Sequence, residues 1–83
     1  MEKYVRAHIR LNTTMEANDF VAALNSNGTT DNYSIENFSG THRINARSLL
    51  GVIYATVEFN DNMYLVNETT NGKFPSSIDK YRV

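Results

Sequence analysis

From Tyr4 to Leu11 the chain alternates without a break, with Val5, Ala7, Ile9 and Leu11 interleaved by Tyr4, Arg6, His8 and Arg10. A two-residue period sends successive side chains to opposite faces of a pleated strand. The pattern therefore predicts one face in a core and a basic, polar stripe on the other. Immediately afterwards, Thr13-Thr14-Met15-Glu16 has the form of a capping box. Thr13 is placed to cap the amide three residues on, and Glu16 to reach back to the Thr13 amide. Ala17, Phe20, Val21 and Leu24 then fall at i, i+3, i+4 and i+7, the apolar stripe of an amphipathic helix. Asn25-Ser26-Asn27-Gly28 stops it, Gly28 being free to take the left-handed backbone common after a helix. The spacing predicts a helix from about Thr14 to about Asn25.

The remainder reads less sharply. Asn32 to Phe38 and Thr41 to Ala46 are strand-like runs around Ser39-Gly40, which predicts a hairpin. Arg47 to Ala55 contains Leu49, Leu50, Val52 and Ile53 behind Ser48, a natural N-cap, and reads as a short helix. Val57-Glu58-Phe59 reads as an extended lead-in, Asn60-Asp61-Asn62 as a turn, and Met63 to Val66 as a strand. In residues 67–83, Asn71-Gly72 marks a turn and Pro75 suits the first turn of a helix in which Phe74, Ile78 and Tyr81 share a face. That helix has about two turns at most and holds only through tertiary packing. The order β-α-β-β-α-β predicts an α+β open-faced sandwich, with two helices on one face of a four-stranded antiparallel sheet and a C-terminal third helix short or absent.

Eighty-three residues allow a single domain spanning 1–83, with no repeats and no linker. Eight Lys/Arg against nine Asp/Glu argue against a dedicated DNA-binding or polybasic membrane surface. The absence of cysteine removes disulfides, thiolate nucleophiles and Cys-ligated zinc, and two histidines far apart suggest no metal spacing. No cofactor is expected. Five Asn-x-Ser/Thr triplets, at Asn12, Asn27, Asn32, Asn37 and Asn67, follow from an Asn/Thr/Ser-rich composition rather than from glycosylation. The first residues lack the apolar core of a signal peptide and no run reaches the ~20 residues of a membrane span, so a cytoplasmic protein is expected.

The segment Ser39-Gly40-Thr41-His42-Arg43-Ile44-Asn45-Ala46-Arg47-Ser48-Leu49-Leu50-Gly51-Val52 resembles the HPr family, the phosphocarrier proteins of the bacterial sugar phosphotransferase system. That family has a glycine-turned hairpin, an apolar residue, Asn-Ala-Lys/Arg-Ser, two apolar residues and Gly. The element order agrees from Tyr4 to about Val66. The resemblance implies a carrier histidine between strand one and helix one, in a Gly-x-His-x-Arg-Pro-Ala loop. Here the matching stretch is Leu11-Asn12-Thr13-Thr14-Met15-Glu16-Ala17, with Thr13 in the histidine's place and Met15 in the arginine's. A threonine hydroxyl without a base is a poor nucleophile, and methionine supplies no cation for a phosphate, so no catalytic residue is expected.

Other positions carry further implications. Ser48 matches the serine that a regulatory kinase phosphorylates in the Gram-positive branch of the family, and a phosphate at a helix N-terminus meets free amides and the positive dipole end. Capping alone also accounts for a serine there. Leu49, Leu50 and Ile53, with Arg47 beside them, match the docking knob that the family's second helix offers to partner proteins. Adjacent leucines on a helix lie ~100° apart, so at least one faces outward. His8, His42, Arg6 and Arg10 read as solvated side chains.

The expectation is a non-catalytic HPr-like binding or regulatory module that engages a protein partner through its second helix. A homodimer is a second way to cover a sheet that lacks the family's long C-terminal helix. The alternative is a small nucleic-acid-binding domain using the open sheet face, since RNA-recognition motifs share the element order. Those place aromatics on two central strands, and Thr41–Ala46 lacks the Gly-Phe/Tyr-Gly-Phe pattern such a strand carries. No nucleophile–base pair or phosphate loop points to an enzyme.

Overall fold

The alternating segment forms β1 (Arg6–Ile9), and the capping box opens α1 (Thr14–Asn25) at the expected residues. The computed structural model describes residues 4–83 and continues with β2 (Tyr33–Glu36), β3 (Arg43–Asn45), α2 (Leu49–Glu58), β4 (Met63–Asn67) and a C-terminal 3-10 helix (Ser76–Tyr81). The strands form one antiparallel sheet in the order β1-β4-β2-β3. Ala7 pairs with Leu65, Leu65 with Ile35, and Ile35 with Ile44, so one apolar row crosses the whole sheet. Phe20 and Leu24 of α1 and Val52 and Ala55 of α2 complete the core with that row. The result is the open-faced α+β sandwich that the element order predicts.

The second helix sits unusually close to the sheet. A Cβ built on Gly51 would lie 2.7 Å from Ile44 Cγ2 and 3.2 Å from the Asn45 carbonyl oxygen. Glycine is required there by contact rather than by a turn. In the β2–β3 hairpin the need is conformational instead. Gly40 has φ +73°, and Asn37 holds the loop by accepting from the Thr41 and His42 amides at 2.9 and 3.2 Å.

Several boundaries differ from expectation. The strand was expected over Tyr4–Leu11, yet the Val5 amide donates to Asn71 Oδ1 at 2.7 Å and its side chain lies beside Gly72, 54% exposed. Helix two does not end at Ala55, and Val57-Glu58 are not extended. Val52, Ala55 and Phe59 are all buried, so the apolar stripe runs a turn further. That packing outweighs the weak helix propensity of Thr56 and Val57. The last element is a 3-10 turn and not an α-helix, with Pro75 as its N-cap and Ile78 and Tyr81 buried.

This short segment packs on α1 and along the edge of β1. Tyr81 packs edge-on against Phe20 at 5.8 Å. The Arg10 amide donates to the Tyr81 carbonyl and the Val83 amide to the His8 carbonyl, both at 2.9 Å, which closes the outer edge of β1. On the open face of the sheet, the strands' own side chains pack against one another. Arg6 lies over the Tyr64 ring at 4.2 Å, Arg43 over Tyr4 at 5.0 Å, and His8 stacks on Tyr64 at 4.7 Å. Beneath them Val66, Ser34 and Glu36 are buried. Glu36 takes Arg6 at 3.8 Å and Arg43 at 3.4 Å, while Glu68 takes Arg43 at 2.7 Å and accepts from Ser34.

Candidate functional site

Two helix N-termini and one helix face carry the residues that the sequence singles out. At the start of α1, Thr13 has an extended backbone, and its hydroxyl accepts from the Glu16 amide at 3.0 Å. Glu16 reaches back one residue further than a standard box, accepting from the Asn12 amide at 2.6 Å. Beside this turn lies a cleft of about 280 Å³ lined by Arg10, Asn12, Thr13, Thr14, Thr56 and Asp61, among others. Arg10, its cation, pairs with Asp61 at 3.8 Å. Met15 points away from the protein and is exposed. Neither described histidine lines the cleft. His8 bonds through Nε2 to the Asp61 carbonyl at 2.6 Å from the second sheet face, and His42 sits exposed in the hairpin. The hydroxyl of Thr13 is thus a helix cap, and no histidine lines the cleft beside it.

At the start of α2, the Ser48 hydroxyl accepts from the Gly51 amide at 3.2 Å, and its own amide donates to the Asn45 carbonyl at 3.2 Å. The side chain is half-buried, capping the helix at the rim of the molecule.

The outward side of α2 is the third feature. Leu50 is 81% exposed, Tyr54 57% and Val57 73%. Their spacing of i, i+4 and i+7 makes one apolar ridge along the helix. Leu49 and Ile53, named with Leu50 from the sequence, turn inward and pack against the core. Arg47 is not at the ridge. Its guanidinium donates to the carbonyls of Leu24, Thr29 and Asp31 at 2.6, 3.0 and 3.0 Å, and it lies over Tyr33 at 5.0 Å. It fastens the α1–β2 loop to the start of α2. Val57 lies beyond the expected end of the helix at Ala55, whereas Tyr54 lies inside it, one turn on from Leu50 on the same outward face. Extending the Leu50 register by two turns finds both.

The sheet topology bears on the nucleic-acid alternative. Strands β1 and β3 lie at opposite edges of the sheet and are not the adjacent central pair that RNA-recognition motifs use, although Arg43 reaches the Tyr4 ring at 5.0 Å. The two arginines of this face are engaged by Glu36 and Glu68. Among the described residues no three His, Asp or Glu side chains converge as a metal site, and no helix is long and apolar enough to cross a membrane. A scan of protein-family models, a search of curated proteins and a search of solved structures each returned no match.

Proposed function

We propose that this chain is a non-catalytic, HPr-like binding module that docks a protein partner through α2. The observation that carries the reading is the ridge of Leu50, Tyr54 and Val57, three large side chains left in water on one helix face. Burying such side chains is worth ~1.5–3 kcal/mol each, and helix-in-groove recognition uses this anchor spacing. Carrier activity is set aside because Thr13 serves as a cap and the cleft beside it holds no imidazole. Ser48, at the foot of the same helix, is where a phosphate would act on docking. Its charge would meet the free amides of α2 next to Leu50.

Two measurements test this. Incubation with phosphoenolpyruvate and the general phosphotransferase enzyme should leave the protein unlabelled, and an acid-labile phosphohistidine would refute the reading. Co-purification from source cells should retain a partner with wild type and lose it with Leu50→Asp, whose site is too exposed to disturb the fold. Equal recovery by both proteins would remove α2 as the docking surface.

A further inference from the structure

We propose that the partner of α2 is a protein surface with an apolar depression rimmed by lysine and arginine, rather than a second copy of this chain. The inference rests on the docking reading above and adds the chemistry of what docks. Size argues first. Leu50, Tyr54 and Val57 are three residues of the ~20–30 that each partner gives to a stable interface, so the ridge binds stably only with its flanks. A convex ridge laid on its own copy gains little more. A concave surface wraps the helix and recruits its flanks, which suits anchors at i, i+4 and i+7.

Charge argues second. No lysine or arginine occurs between Leu11 and His42 or between Ser48 and Gly72. Helices α1 and α2 carry Glu16, Asp19 and Glu58 and no lysine or arginine. Of the cations flanking the helical layer, Arg47 holds three backbone carbonyls, Arg10 pairs with Asp61, and Lys80 lies over the Tyr81 ring at 5.3 Å. Arg6 and Arg43 lie on the other side of the sheet with Glu36 and Glu68. Two copies meeting ridge to ridge would therefore gain no ion pair across the seam. A polyanion, whether nucleic acid or anionic lipid, would meet like charge around the ridge. A basic rim on a protein partner steers the encounter and fixes its register.

The test uses two synthetic amphipathic helical peptides with the same leucine stripe, one flanked by lysines and one by glutamates. Each is titrated into the ¹⁵N-labelled protein. The lysine-flanked peptide should shift the amides of Leu50, Tyr54 and Val57 and bind at least about tenfold more tightly than its acidic counterpart. High salt should narrow that gap, Asp19→Lys with Glu58→Lys should close it, and Leu50→Asp should abolish binding. Equal affinity for both peptides overturns the charge inference and leaves the docking reading standing. Shifts confined to Glu36 and Glu68, or no binding by either peptide, overturn the proposal. So does sedimentation equilibrium showing a dimer that Leu50→Asp dissolves, since the ridge would then belong to a second copy.

Discussion

Single atoms decide how the two helix starts behave. Thr13 and Ser48 each present one hydroxyl oxygen to an amide three residues on, at 3.0 and 3.2 Å. Ser48→Ala should cost ~0.5–2 kcal/mol in urea unfolding. Ser48→Asp keeps an acceptor and adds charge at the positive dipole end, so its midpoint should lie close to wild type. If alanine and aspartate destabilised equally, the cap would not be what holds α2. At Gly51 the issue is space. Gly51→Ala puts a carbon into Ile44 Cγ2 and should cost ~1–3 kcal/mol by overpacking. Ile44→Ala removes the clashing group, so the double variant should be more stable than the sum of the two losses predicts. Strict additivity would mean that the Asn45 carbonyl, not Ile44, sets the limit.

Elements depend on ties that no local pattern reveals. Arg47 reads from its position as a surface cation beside a docking helix, yet it binds carbonyls of residues 16 to 23 positions away in the chain. Arg47→Met should cost ~1–3 kcal/mol by stranding those acceptors, and Arg47→Lys should not restore it, because one ammonium cannot span the fork. Hydrogen exchange should then accelerate first in residues 25–32; uniform acceleration would argue against a loop tie. The same distinction explains what could be read in advance. Strand β1 and helix α1 were legible because period and caps are local, down to Thr14 and Asn25. The end of α2 was not, because Thr56 and Val57 are weak helix formers held by the burial of Ala55 and Phe59. At the candidate site, Ser48 caps α2 and Leu50 is the outward member of the leucine pair, while Val57 lies past the expected end of the helix and Tyr54 joins the outward face only once the register of Leu50 is known.

At the scale of the whole molecule, stability turns on how the sheet is closed without a long third helix. A chain of this length holds only about 4–12 kcal/mol against unfolding. The final segment contributes Ile78 and Tyr81 to the core and two backbone hydrogen bonds, one to His8 of β1 and one from Arg10 just after it. Removing a buried aromatic ring costs ~3–5 kcal/mol, which is a large share of that total. Tyr81→Ala should therefore lower the urea midpoint sharply while Asp79→Ala, on the exposed side of the same turn, should not. Deleting residues 76–83 removes both buried side chains and frees the edge of β1, so the cooperative transition itself should vanish and Phe20 lose its fixed environment. Near-ultraviolet circular dichroism reports that loss directly. A truncated chain that kept the wild-type midpoint would mean that the core closes between α1, α2 and the sheet alone. The ridge on α2 would then stand on a scaffold that needs no C-terminal cover.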